Sequence, residues 1–327
     1  MQQVWLNGQA RHTNTSRLPL RSGRSLLDCY STGRTNAQDE SCRLHGLRAS
    51  MTKPLRILSL GAGVQSTTLL YMMVEGEIER PDHVIFSDTG WEPIPVYEHL
   101  AKLEKVMQQH NIPFHKVSAG NIREDVLRTD GSRVALLPTY MKNPDNTKGM
   151  MQRQCTAEYK INPAMRKHRE LVGLLPRQKS KEHLGTTIFG ISFDEIQRMK
   201  DPPFSWLRNE YPLIDMKITR QMCLDWCADH GYELPPRSAC IGCPFKSDHE
   251  WRLLRDTMPD AWDDAVRFDY EYREAVKIRG KLSSTPYLHK SLIPLDQVDL
   301  RTNVEKGQYS LFGEDTFDQE CEGMCGI

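Results

Sequence analysis

The chain has 327 residues, with 43 Lys plus Arg against 43 Asp plus Glu, so its formal net charge is zero. That balance gives no global pull toward nucleic acid or membranes, although a local basic groove is compatible with it. At 39% hydrophobic and 26% charged the composition is that of an ordinary globular protein, with no run of about 18 apolar residues to span a membrane and no secretory h-region at its start.

Residues 1–50 are rich in Arg, Ser, Thr and Asn, contain no Lys, and show no helical or strand period. They read as a disordered or loosely attached extension, with Met51 as an alternative natural start. From there the pattern alternates. Leu55–Leu60 is a short apolar run ending at glycines, expected as a buried strand, followed by a helix over Gln65–Glu75. His83–Ser87 reads as a second strand, Pro95–Gln109 as an amphipathic helix and Pro113–Val117 as a third strand. Asp130–Lys148 is polar, with Gly, Pro and Asn, and is expected to be a mobile loop. A helix over Thr156–Leu171 and a strand over Thr186–Ile191 follow, then helices over Thr219–His230, Asp248–Thr257 and Asp260–Arg279. Strands alternating with helices predict an α/β fold of βα units on a parallel sheet over 51–215, with a helical, cysteine-containing region over 216–327.

The first strand runs into Ser59-Leu60-Gly61-Ala62-Gly63-Val64-Gln65-Ser66. Glycines let the backbone turn sharply, and the amides opening the next helix favour an anion. The Gly-Lys-Ser/Thr ending of a Walker loop is missing. At the end of the second strand, Ser87-Asp88-Thr89-Gly90-Trp91-Glu92 places an acid and a turn. Open α/β sheets bind ligands at that edge. Asp88 reads either as a ligand-directed acid or as a turn residue.

Nine cysteines, an odd number in a long chain, point to a reducing, cytoplasmic setting where clustered cysteines bind metal or react. Cys240-Ile-Gly-Cys243 presents two thiolates at a spacing suited to one metal or one cluster edge. Cys223 and Cys227 share a helix face and read as core residues or as further ligands. Cys321 and Cys325 sit in an apolar-poor tail, where core packing is a poor explanation for them.

In series these segments resemble the PP-loop superfamily, specifically its PAPS reductase-like branch. The glycine turn is similar to that family's Ser-Gly-Gly-x-Asp-Ser loop, and Ser87-Asp88-Thr89-Gly90 to its Asp-Thr-Gly segment. Arg153-Gln154-Cys155-Thr156 with Lys160 and Pro163 resembles its Arg-x-Cys region. Gly190-Ile191-Ser192 with Glu195 and Arg198 resembles its later strand and helix, and Cys240 with Cys243 its Cys-x-x-Cys. The likeness spans roughly residues 55–275.

The resemblance implies an adenine nucleotide (PAPS, APS or ATP, the last with Mg) at Ser59, Gly61, Ala62, Gly63, Gln65, Ser66, Asp88, Gly90, Gly190 and Arg198. It implies substrate contacts from Arg153 and Lys160. It also implies an iron–sulfur cluster, [4Fe-4S] in kind, on Cys155, Cys240 and Cys243, with zinc as the alternative, and Cys321 or Cys325 as an attacking thiol. Expected partners are a thiol or electron-donor protein or a nucleic-acid acceptor, with assembly as a homo-oligomer or as a subunit of a larger complex. Two departures stand out. Gln65 replaces the loop acid, which weighs against ATP adenylation, and Thr156 replaces the second cysteine of a Cys-Cys pair. The implied activity is sulfonucleotide reduction or sulfur transfer. The alternative is a non-catalytic nucleotide-binding subunit whose metal is a structural staple.

Overall fold

The computed structural model describes residues 53–301 and residue 305. The extension over 1–50 and the tail cysteines Cys321 and Cys325 lie outside the described residues.

Five parallel strands form the main sheet. These are β1 (Leu55–Leu60), β2 (His83–Asp88), β3 (Phe114–Ser118), β6 (Gly185–Phe189) and β7 (Leu207–Glu210), in the order β3-β2-β1-β6-β7. Ser59 pairs in register with Ile85 on one side and Phe189 on the other. Alternation along the strands sends side chains to opposite faces. Leu58, Leu60, Val84, Phe86 and Ile188 enter one core, and Ile57, Ile85 and Phe189 another. The sheet is therefore covered on both sides, as a parallel sheet requires.

The first face is packed by α1 (Val64–Glu75), α2 (Ile94–Gln109) and α6 (Arg220–Asp229). In α2, Val96, His99, Leu100, Leu103 and Met107 are buried at helical spacing, and Pro95 sits at its start, where a missing N–H costs nothing. Helix α1 is buried over Val64–Met73 and ends at Gly76, whose φ of 89° a side chain would strain. The opposite face takes α4 (Asn162–Leu171) and the short α5 (Pro212–Asp215).

The helix expected over Thr156–Leu171 is two pieces. Its first part, Thr156–Ile161, is wound as a π turn, with the Asn162 amide reaching back to Ala157 O. Pro163 carries no N–H to continue the α ladder, which is a local reason for the widened turn.

Several short elements were not legible as such. Helix α3 (Ile122–Leu127) is capped by Asn121. In the stretch expected to be a mobile loop, β4 (Tyr140–Lys142) and β5 (Lys148–Met150) form a hairpin whose turn puts Asn146 at φ 63°. Strand β8 (Thr285–Tyr287) joins β4 to complete a small antiparallel sheet. Helices α7 (Asp248–Thr257) and α8 (Pro259–Arg279) pack with α3 around Trp251, Phe268 and Tyr272. No helix among the described residues is long and apolar enough to cross a membrane.

Candidate nucleotide turn and cysteine pocket

The strand order reverses between β1 and β6, and open α/β sheets bind ligands at the carboxyl edge beside such a reversal. The expected loop residues lie at that edge. Gly61, Ala62 and Gly63 leave β1, Gly190 leaves β6, and Asp88 with Gly90 leaves β2.

The loop is built tightly. The Gly61 amide donates to Ser66 Oγ (3.1 Å), and Ala62 sits at φ 57°, in left-handed space that non-glycine residues visit at a cost of about 1–2 kcal/mol. Helix α1 opens at Gly63 with no side chain capping its first amides. Gly190 is pressed onto that opening. A β-carbon there would stand 2.5 Å from Ser66 Cα and 2.6 Å from Ser66 N, both backbone atoms that cannot swing aside.

Gln65, fully buried, turns away from the loop. Its Nε2 donates to Ser192 Oγ (3.3 Å) and Glu195 Oε2 (2.9 Å), while its Oε1 has no hydrogen-bond partner among the described residues. Glu195 also pairs with Arg198 (2.5 Å). Gln65, Ser192, Glu195 and Arg198 thus form one polar chain at the start of α1.

Asp88 holds its own turn. Its Oδ1 accepts from the Gly90 amide and from Tyr97 Oη, both at 2.8 Å, and its Oδ2 pairs with Lys116 at 2.8 Å. Burial alone would raise its pKa. The Lys116 ammonium and the two hydrogen bonds outweigh that and hold the carboxyl below its usual value. The turn reading of Asp88 is the one its hydrogen bonds serve.

Immediately beyond Asp88 lies a pocket that contains the cysteines. Cys155, Cys240 and Cys243 line it together with Arg153, Lys160, Thr89 and Thr156, and with an apolar wall that includes Trp91, Leu137 and Phe245. The sequence separates Cys155 from Cys240 by 85 positions, and the structure brings them to one cavity. Cys155 immediately precedes the π turn. Cys240 and Cys243 sit on a tight turn in which the Cys243 amide donates to Cys240 O (3.0 Å). That turn is fixed from below by Trp91, whose carbonyl accepts from the Ile241 amide (2.9 Å), and from the side by Lys246, whose Nζ donates to Cys240 O (2.7 Å). Trp91 is held in turn by Asp264 (2.7 Å) and Phe268.

Glu92, which sequence reasoning passed over, is the buried acid of this site. It is 4% exposed, and its Oε1 accepts from Thr89 Oγ1 (3.1 Å) and lies 3.6 Å from Cys240 Sγ and 4.0 Å from Lys160 Nζ. Its Oε2 has no hydrogen-bond partner among the described residues. Burial pushes the Cys240 thiol well up, and Glu92 adds to this against the pull of Lys160. Burial also lowers Lys246. Arg153 lies 5.1 Å over the Phe245 ring. Two cations, Arg153 and Lys160, line the pocket, and Glu92 lies beside Lys160. The only sequence signal for Glu92 and Trp91 was their place next to Asp88 and Gly90. Lys246 had none.

Cys223 and Cys227 face the other way. They are fully buried on α6 against α1, with Cys227 Sγ 3.2 Å from Thr68 Oγ1, and neither lines the pocket. Trp251 is likewise core.

Thiols are the donors that zinc and iron–sulfur clusters take, and all three expected ligands border one cavity. Among the described residues, no three His, Cys, Asp or Glu side chains are gathered closely enough to hold a single ion. The donor set fits a thiolate-bound group in kind.

No protein-family model matches the chain, and no curated protein matches it significantly. Solved structures do match. A phosphoadenylyl-sulfate (PAPS) reductase from Candida auris, in a phosphate complex, is 14% identical over 60% of this chain and 80% of its own, with a TM-score of 0.33. A U34-tRNA thiolase from Methanococcus maripaludis, with its [4Fe-4S] cluster, is 14% identical over 77% of this chain and 79% of its own, with a TM-score of 0.35. Likeness at this level leaves ligand and reaction to this chain's own residues.

Proposed function

We propose that this protein binds an adenine nucleotide at the Gly61–Ser66 turn and an iron–sulfur cluster at Cys155, Cys240 and Cys243, and that it acts in sulfonucleotide reduction or sulfur transfer. The observation that carries this reading is the single pocket bordered by all three thiols together with Arg153 and Lys160.

The chain's own residues supply the rest. The uncapped start of α1 offers amides and a positive dipole end to phosphate. Gly190 keeps the β6 edge free of a side chain where it meets that start. Arg153 and Lys160 offer charge-assisted bonds to a sulfate or phosphate oxygen, Arg153 bidentately. Trp91, Leu137 and Phe245 give the pocket an apolar wall, and a lower local dielectric strengthens such bonds. A bound cluster would supply electrons or a site for sulfur. Reduction would need a thiol or electron-donor protein and transfer a nucleic-acid acceptor, with Cys321 or Cys325 the thiols to test as nucleophiles.

A second reading, a non-catalytic nucleotide-binding subunit with a structural zinc, is favoured by one observation. Gln65 and Asp88, where the resemblance expects ligand-directed side chains, both engage neighbours within the fold.

The test is metal content and visible absorbance of protein purified without oxygen, wild type beside Cys240→Ser. Iron and acid-labile sulfide in wild type, lost in the variant, are expected. Stoichiometric zinc would overturn the cluster and leave the second reading; no metal in folded protein would overturn the cluster and the structural zinc alike.

A further inference from the structure

Outside the cysteine pocket, the turn after β8 and the start of α7 carry three residues in a hydrogen-bonded line. Ser291 Oγ is 2.7 Å from His289 Nδ1, and His289 Nε2 is 3.2 Å from Asp248 Oδ1. The Ser291 amide also donates to His289 Nδ1 (3.2 Å), so Nδ1 is the acceptor and Nε2 carries the proton toward Asp248. That tautomer is the one a general base needs: a lone pair toward the hydroxyl, with the opposite N–H held by a carboxylate.

The line is held rigidly. His289 is 4% exposed. Asp248 stands in the first turn of α7 and also pairs with Lys290 (2.7 Å). The segment is pinned at both ends by buried Asp269, which accepts from the Leu288 amide (3.0 Å) and the Leu295 amide (3.1 Å). Leu292, next to Ser291, sits at φ 58°, a strained backbone for a leucine. Ser291 itself is exposed and borders an open groove with Asp248 and His289, whose apolar side is Met150, Ile293 and Val298.

We propose that Ser291, His289 and Asp248 form a second, hydrolytic site, with Ser291 as nucleophile, His289 as general base and Asp248 as the residue positioning the imidazole. The substrate class is a carboxylic ester whose apolar acyl chain lies against Met150, Ile293 and Val298. Ser291 Oγ adds to the ester carbonyl carbon while its proton passes to His289 Nδ1. The bond to the leaving alcohol oxygen breaks, and that oxygen takes the proton. Water then attacks the acyl-serine by the same proton route, releasing the acid and restoring Ser291. No oxidant, metal or nucleotide enters the step, so its outcome is independent of the function proposed above.

The test treats the full chain with an alkyl fluorophosphonate and locates the adduct by peptide mass spectrometry, with hydrolysis of p-nitrophenyl butyrate followed in parallel. An adduct on Ser291 is expected, together with ester hydrolysis abolished by Ser291→Ala. His289→Gln, shown to be folded by its melting curve, should slow labelling by about 100-fold or more. Ser291→Cys gives a check that does not depend on the esterase assay. The introduced thiol should alkylate with iodoacetamide at neutral pH faster than in the Ser291→Cys/His289→Gln double variant. Folded wild type without an adduct on Ser291, or equal rates with and without His289, would overturn the proposal.

Discussion

The turn carrying Cys240 and Cys243 rests on the indole of Trp91 so closely that a β-carbon on Gly242 would stand 2.2 Å from Trp91 Cη2 and 2.7 Å from Cζ3. The indole has little room to retreat, because Asp264 holds its N–H and Phe268 packs on its ring. Gly242→Ala is therefore expected to overpack the pocket floor and destabilise the protein by about 1–3 kcal/mol, read in urea denaturation. Trp91→Phe, which removes the clashing ring edge, should recover part of that loss in the double variant. Simple additivity of the two would show that the contact does not limit the turn.

Gln65 stands where the resemblance expects an acid, and its surroundings suit an amide. Its side chain is fully buried, and its Nε2 donates to the half-buried Glu195 Oε2. Gln65→Asp would bring a second carboxylate toward the first, and loss of this part-buried hydrogen bond to a charged group alone costs about 1–3 kcal/mol. The melting temperature should fall in Gln65→Asp and recover in Gln65→Asp/Glu195→Gln, where one carboxylate and one amide face each other again. An unchanged melting temperature in the single variant would remove Glu195 as the reason for the amide.

Cys223 and Cys227 share a helix face, as their spacing requires, but that face meets the α1 core. Cys227→Ala should leave metal content unchanged and cost about 1 kcal/mol of stability, from lost buried volume and the contact with Thr68. Cys243→Ser should do the reverse, lowering metal content with little change in the melting of the metal-free protein. Loss of metal in Cys227→Ala would return α6 to the list of ligand sources.

Two buried imidazoles make the fold acid-sensitive. His99 and His168, 5% and 0% exposed, have pKa values pushed down by burial from 6.5 to about 4. Between those values the unfolded chain binds more protons than the folded one, so stability is full above about pH 6.5 and falls as pH drops toward 4. Each group can contribute a loss of up to about 3 kcal/mol across that window. Denaturant midpoints measured from pH 7 to pH 4.5 should fall in wild type and fall less in His168→Leu. Parallel curves would show that His168 does not carry its share.

By itself, the sequence determined the alternation of strands and helices, because apolar periods of two and of three to four residues are local properties of the chain. Leu55–Leu60 is a strand as expected, and α2 and α7 end where the pattern ends. Short pieces such as β4, β5 and β8 escaped it, since three residues carry no period. Only the tertiary structure decided what these residues face. It turned Gln65 onto Glu195 and Asp88 onto Lys116, sent Cys223 and Cys227 into the core, and set Glu92 and Lys246 beside Cys240. Those pairings join residues up to 159 positions apart. They depend on strand order and on which helix covers which face, and no local pattern in the chain encodes either.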